Sequence, residues 1–169
     1  MIQQPDHQLD LRLRAVGVLA FPVQRAFGQA ERRAVKEYLT SDPLLRRFFT
    51  DVFLFEDLPA RGRSPEDIYL GEVGERDIYL GIFGNEYGWK NAEGMSPTEL
   101  EFDRATAQDC ERLIFVKGND DSARDRDMQE LIRKAGAQLT RRRFADIPGL
   151  LREVYSSLVD FLEDRGALG

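Results

Sequence analysis

One stretch of the chain, Gly84–Ala105 (GNEYGWKNAEGMSPTELEFDRA), contains the residues best suited to chemistry. Within it Thr98, Glu101 and Ala105 have the i, i+3, i+7 spacing that places side chains on one face of a helix. A carboxylate that faces a crevice can act as a nucleophile or a general base when its surroundings tune it. A glutamate near the start of a helix can also be a solvated residue that the helix dipole favours. Glu101 is therefore the candidate catalytic residue, and the solvated alternative stays open.

The loop that precedes this helix combines glycines with aromatic side chains. Gly84, Gly88 and Gly94 either adopt the positive φ of tight turns or let a ligand approach the backbone. Tyr87 and Trp89 can stack on a nucleobase, or they can pin the loop to the domain. The candidate ligand-binding residues of the loop and helix are Gly84, Asn85, Tyr87, Gly88, Trp89, Ser96 and Thr98.

The start of the helix has its own sequence signature. Ser96–Glu99 (SPTE) matches a capping box, with Ser96 as the N-cap and proline at the first helical position. In such a box the Glu99 side chain reaches back to the backbone N–H of the cap. Glu99 is therefore predicted to be structural, together with Ser96 in its capping role.

The elements that must position these residues alternate between strands and helices along the chain. Apolar runs and β-branched residues predict strands, whereas apolar residues at i, i+3, i+4 and i+7 predict helices. Such an alternation indicates an α/β domain with a parallel sheet and helices on both faces. Strands are predicted at 11–20, 50–56, 76–83, 112–117 and 140–144, and helices at 29–39, 64–73, from 96, at 121–139 and from 146.

Five strands of this kind are best accommodated by a flavodoxin-like, three-layer α-β-α fold with the strand order 2-1-3-4-5. Ligands of such sheets bind outside the carboxyl ends of the strands, where the direction of winding reverses between strands one and three. This rule places the loop at 21–28 (FPVQRAFG) beside the stretch that begins at Gly84. Both loops would face one crevice.

Length and composition indicate one globular domain. The chain has 169 residues, of which 42% are hydrophobic and 32% charged. We expect a single domain over residues 11–165, after a flexible polar tail at 1–10. One cysteine excludes an internal disulfide, and one histidine cannot form a histidine-based metal site or a histidine triad, so no metal is predicted. The polar first residues and the lack of a long apolar run predict a cytoplasmic protein without membrane contact.

The charge distribution argues against direct nucleic-acid binding. A net charge of −6 is unfavourable for a surface that must neutralise phosphates. Arg141–Arg143 and the pair Arg61 and Arg63 are local exceptions, and arginines of this kind more often form a solvated strand or loop end. No G-x-x-x-x-G-K-[ST] phosphate loop occurs in the chain, which excludes helicase activity of that type for this domain.

The segment RDIYLGIFGNEYGWKNAEGMSPTELEFDRA, followed by RLIFVKG, resembles a TIR-like domain of unknown function found at the N-terminus of bacterial multidomain proteins. The resemblance covers about residues 15–165 and includes AERRAV at 30–35, FFTDVFLFEDLPA at 48–60 and RRRF at 141–144. It is strongest to putative transcriptional regulators and RecG-related ATP-dependent DNA helicases, in which a Schlafen-type AlbA domain and a winged helix follow. The resemblance implies a TIR-like fold and a regulatory front end of a longer protein, with downstream DNA-associated domains as its partners.

SPTELEFDRA is also similar to the motif of nucleoside deoxyribosyltransferases, in which a threonine lies three residues before the nucleophilic glutamate and an alanine four residues after it. Thr98, Glu101 and Ala105 match that spacing. Catalytic TIR domains likewise use a helical glutamate to split the nicotinamide-ribose bond of NAD, so NAD or another nucleotide is the candidate ligand. Family members usually have a Ser-Ser pair after the first strand, where this chain has Phe21-Pro22. Proline removes a backbone donor there, which weakens the enzymatic interpretation.

Three functions follow from these observations. The first, which we favour, is a regulatory or sensing module without enzymatic activity that binds a nucleotide-like ligand or a protein partner. The second is a ribosyl-cleaving enzyme, an NAD glycohydrolase or a deoxyribosyltransferase-like protein, that uses Glu101. The third is an oligomerisation domain, because TIR-like domains assemble through helix faces.

Overall fold

The computed structural model describes residues 16–19, 28–54 and 76–168, and these form an α/β domain with a parallel sheet. The tail at 1–10, Phe21-Pro22, the pair Arg61 and Arg63, and the predicted helix at 64–73 lie outside the described residues. The described elements are β1 (Val16–Leu19), α1 (Gln29–Ser41), a short 3-10 turn (Leu45–Arg47), β2 (Val52–Phe53), β3 (Ile78–Phe83), α2 (Pro97–Ala107), β4 (Glu111–Lys117), α3 (Arg126–Gly136), β5 (Arg141–Phe144) and α4 (Ile147–Asp164).

All described strand pairs are parallel, and neighbouring strands follow the order β2-β1-β3-β4-β5. The longest pairing joins β3 to β4, from Ile78 opposite Glu111 to Phe83 opposite Val116. The predicted α/β class with a parallel sheet is therefore confirmed. Parallel strands place their carboxyl ends at one edge of the sheet, which we call the carboxyl edge.

Two apolar layers flank the sheet, one on each face. Even-numbered residues of β3, such as Leu80, pack with α1 and α4, whereas odd-numbered residues, such as Phe83, pack with α2 and α3. All six β3 residues are buried, as expected for a parallel strand covered on both faces. No helix in the described residues is long and apolar enough to cross a membrane.

Helix α3 begins later than its periodicity predicts. The pattern predicts a helix over 121–139, but α3 starts at Arg126 because residues 121–125 form a turn held by polar side chains. Asp125, at the N-cap, has non-helical backbone angles (φ −53°, ψ 140°), and its carboxylate accepts the backbone N–H of Tyr87 at 2.9 Å. These bonds compete with helical hydrogen bonds and move the helix start by about one turn.

Candidate functional site

Helix α2 carries Glu101 on the face that it turns toward the sheet. Thr98, Glu101 and Ala105 are 2%, 0% and 0% exposed, so the predicted shared face is a buried one. The solvated interpretation of Glu101 is wrong, because this carboxylate has no exposed surface. Glu101 lies four residues into α2, or about 6 Å from the helix start along the axis. That start follows the loop from the end of β3, so Glu101 lies near the carboxyl edge.

Ser96 begins α2 as its N-cap, and its hydroxyl accepts the backbone N–H of Glu99 at 3.3 Å. The second half of the predicted capping box has a different partner. The backbone N–H of Ser96 donates to the phenolic oxygen of Tyr87 at 3.2 Å, and the Tyr87 hydroxyl donates to the Glu99 carboxylate. Tyr87 therefore relays the interaction that Glu99 makes directly in an ordinary capping box.

Glu99 also ties α2 to α3. Lys134 of α3 donates to the carboxylates of Glu99 and Asp103, each at 2.8 Å. Burial lowers the pKa of Lys134, but these two hydrogen bonds outweigh it and leave that pKa raised. Burial, followed by the hydrogen bond to Glu99, raises the pKa of Tyr87, which stays protonated. This network stabilises the outer side of α2.

The two candidate stacking residues of the loop have different environments. The Tyr87 ring is buried, with the ammonium group of Lys90 5.6 Å from its centroid. The buried Tyr87 ring therefore holds the loop against the domain, which is the alternative to stacking on a nucleobase. Trp89 is 48% exposed, and its indole is available to a ligand or partner. Gly88 and Gly94 have φ of 90° and 82°, which explains these two glycines by turn geometry.

Arg124 holds the ends of β3 and β4 together at the carboxyl edge, and its sequence context did not predict this role. Its guanidinium is almost fully buried and donates to the carbonyl of Gly84 at 2.8 Å, to Asn85 Oδ1 at 2.8 Å and to the carbonyl of Lys117. Its Nε donates to Asp121 Oδ1 at 2.6 Å. One side chain thus joins the ends of β3 and β4. Gly84 and Asn85 were both predicted to bind a ligand, but their oxygen atoms accept hydrogen bonds from Arg124.

The start of α1 also reaches this edge. Lys117, the last residue of β4, donates from Nζ to Glu31 Oε1 at 2.6 Å. Burial raises the pKa of Glu31, but the hydrogen bond from Lys117 leads the opposing effects and leaves it lowered. Gly28, which precedes α1, has φ of 81°. The carboxyl edge is therefore a set of polar groups held in place by ion pairs.

The three consecutive arginines point to separate structural partners. Arg141 donates to the carbonyl of Ile132 at 2.6 Å, and Arg143 donates to Gly118 and to both carboxylate oxygens of Asp121. Arg142 is more exposed and lies 3.9 Å from Glu153. The triplet forms most of strand β5, and of the three side chains only that of Arg142 is exposed as the solvated interpretation predicts. In the described part of the chain, no group of His, Cys, Asp and Glu side chains is arranged to hold a metal ion.

Comparison with known families gives a match over most of the chain. Residues 29–159 match the family described as a domain of unknown function (DUF4062). The matched segment begins at the first residue of α1, contains all of α2 and ends within α4. A comparison with curated proteins found no match. The TIR-like and RecG-related relationships stay predictions.

Proposed function

The chain belongs to the DUF4062 family, whose description gives no activity, and we propose from its site that it is a sensing module for a nucleotide-like ligand. The observation that carries this proposal is Glu101, a carboxylate with 0% exposure on the inner face of α2. An ionisable group costs far more free energy to bury than an apolar one, and such groups concentrate at functional sites. A buried carboxylate is a strong acceptor for the hydroxyl groups of a sugar.

The position of Glu101 agrees with this assignment. The strand order β2-β1-β3-β4-β5 supports a flavodoxin-like or TIR-like arrangement, in which ligands bind where winding reverses at the carboxyl edge. Glu101 lies close to that edge. The loop that joins β3 to α2 carries Trp89, whose indole is exposed. Because the carboxylate has no exposed surface, a ligand reaches it only after residues at this edge separate. We expect the domain to regulate DNA-associated domains of a longer cytoplasmic protein.

Direct binding tests the proposal. Trp89 fluorescence and calorimetry are followed while NAD, ATP and adenosine are titrated into the protein, with Glu101→Gln beside the wild type. Asp103→Asn, in the same helix but bound to Lys134 on the outer side, is the matched control. We expect at least one ligand to bind, and Glu101→Gln alone to weaken it by about tenfold or more. No signal up to millimolar ligand would refute nucleotide sensing.

Ribosyl cleavage is the second candidate, favoured by the complete burial of the Glu101 carboxylate. In a site without bulk water, a carboxylate stabilises the positive charge that develops on a ribosyl carbon. With NAD, the C1′–N bond would break with its electron pair going to nicotinamide, while water adds to the ribosyl carbon and releases a proton. Chromatography of NAD and deoxynucleoside incubations detects the free base. Release that disappears in Glu101→Gln would establish the enzyme, and no release would leave the sensing function.

A further inference from the structure

A cleft of about 270 Å³ opens at the amino edge of the sheet, which is the edge opposite to the carboxyl edge. It lies between the first residues of β4 and β5 and the last two turns of α4. Leu113, Phe115 and Phe161, from the apolar layer between the sheet and α4, contribute its apolar lining. Ligand pockets in proteins begin at roughly 300 Å³, so this cleft accommodates only a small molecule. It lies on the α4 face of the sheet, whereas Glu101 belongs to the α2 face.

Charged side chains of both signs line the cleft. The carboxylates are those of Glu111, Asp160 and Asp164, and the guanidinium groups are those of Arg142 and Arg165. In the part of the chain that the structure describes, no ion pair joins either guanidinium group to any of these carboxylates. Opposite charges around one small volume attract each other, and here they lie apart across the cleft. A ligand that carries both charges can fill the volume between them and contact both.

The two guanidinium groups differ in how far they are already engaged. The guanidinium carbon of Arg165 lies 4.4 Å from the centroid of the Phe161 ring, in a cation–π contact. Arg142 has only a contact of 3.9 Å with Glu153, and its side chain is more than half exposed. An exposed pair of this length contributes little stability, so Arg142 can turn to a ligand at little cost. Its planar guanidinium group suits a carboxylate, which it can bind through two parallel hydrogen bonds.

The geometry of α4 selects Asp160 as the acidic counterpart of Arg142. Glu153 lies beside Arg142 and therefore marks its level along the helix. Asp160 lies about 10 Å beyond that level along the axis, whereas Asp164 lies about 16 Å beyond it. Glu111 begins β4, four residues or about 13 Å before the strand partner of Arg142. Asp160 is thus the nearest of the three carboxylates for a small ligand that also contacts Arg142.

We propose that this cleft binds a small zwitterion, a free α-amino acid with an apolar side chain. Its carboxylate binds Arg142, its ammonium group binds Asp160, and its side chain contacts Leu113 and Phe161. A ligand with only one of the two charges leaves either Arg142 or Asp160 without its contact. The site is independent of the nucleotide site proposed at the carboxyl edge, because the two lie on opposite faces and opposite edges of the sheet.

Calorimetry with L-leucine, L-methionine and L-phenylalanine tests the proposal. The amide of each amino acid, which lacks the carboxylate, and its N-acetyl form, which lacks the ammonium group, are titrated beside it. We expect at least one free amino acid to bind, and both of its blocked forms to bind about tenfold or more weakly, because each loses a charge-assisted hydrogen bond.

Two variants assign the charges. Arg142→Gln should weaken binding of the free amino acid by about tenfold and remove its preference over the amide, while its preference over the N-acetyl form stays. Asp160→Asn should do the reverse. Glu163→Gln, which removes a charge from the same end of α4 but does not line the cleft, is the matched control and should change neither preference.

Each contrary outcome overturns the proposal. No binding of the three amino acids at millimolar concentration would refute an amino-acid site. Equal affinity for the free and blocked forms would show that the ligand is not recognised as a zwitterion. Preferences that are unchanged in both variants would place the bound amino acid outside this cleft. None of these results bears on nucleotide sensing, which the titrations with Glu101→Gln test separately.

Discussion

Replacing Arg124 with methionine should destabilise the domain more than any other single change near the carboxyl edge. The guanidinium donates to the carbonyls of Gly84 and Lys117, to Asn85 Oδ1 and to Asp121. Methionine keeps much of the side chain's length but donates nothing, so two backbone carbonyls, the side-chain oxygen of Asn85 and the Asp121 carboxylate lose a donor. Each buried acceptor left without a partner costs about 1–3 kcal/mol. We expect the free energy of unfolding to fall by about 3–5 kcal/mol, because three carbonyl acceptors lose their donor, whereas the partly exposed Asp121 carboxylate adds little to the loss.

Urea unfolding followed by far-UV circular dichroism measures this loss. Arg126→Met is the matched control, because its side chain lies two residues away, is 91% exposed and should change stability by less than about 0.5 kcal/mol. If Arg124→Met does not fold, Arg124→Lys supplies the measurement, since an ammonium group keeps the charge but cannot span the three carbonyl acceptors. A loss below about 1 kcal/mol in Arg124→Met would refute the assignment of Arg124 as the residue that joins β3 to β4.

Three further predictions test other contacts. Gly136→Ala should lower the free energy of unfolding by about 1 kcal/mol despite the better helix propensity of alanine, because the new Cβ would lie 2.4 Å from Arg141 Cζ and would displace the guanidinium from its hydrogen bond to the Ile132 carbonyl. Thermal unfolding measures the change, and Gly136→Ala should be stabilising when Arg141 is also replaced by alanine. Hydrogen bonds from the guanidinium groups of Arg143 and Arg124 hold the pKa of Asp121 well below its usual value. The ionised carboxylate therefore stabilises the fold above its unfolded pKa of about 4, and this contribution to the free energy of unfolding is lost as pH falls below that value. Asp121→Asn should flatten that part of the curve of stability against pH, and an unchanged slope would contradict the ion pairs of Asp121. Tyr87→Phe should cost about 1–2 kcal/mol in urea unfolding, because it leaves the buried N–H of Ser96 without its acceptor.

The sequence could predict those parts of the fold whose signals are local. SPTE predicts the start of α2 because Ser96 and Pro97 act within one turn, and the apolar spacing from Met128 to Ala135 predicts α3. The same spacing could not show that α3 begins only at Arg126, since polar side chains from other elements hold the preceding turn.

The role of Arg124 could not be predicted, because its partners are backbone carbonyls. Every residue has a carbonyl, so the acceptors at Gly84 and Lys117 leave no mark in the sequence. The burial of Glu101 was only half predictable. Its spacing with Thr98 indicates the face, but a charged residue on an apolar face is as compatible with a helix edge as with an interior. Only packing against the sheet distinguishes the two.

Helix α2 carries acidic residues on two different sides, one that forms ion pairs with α3 and one that is buried. Glu99 and Asp103, four residues apart, both bind Lys134 on the outer side and hold α2 against α3. Glu101, midway between them in the sequence, lies on the buried inner face of α2. Because the ion pairs that hold the helix lie on the outer side, the inner carboxylate is not needed to attach α2 to α3. A carboxylate buried on the inner face of a helix that is fixed in this way has the rigidity that a selective binding site requires.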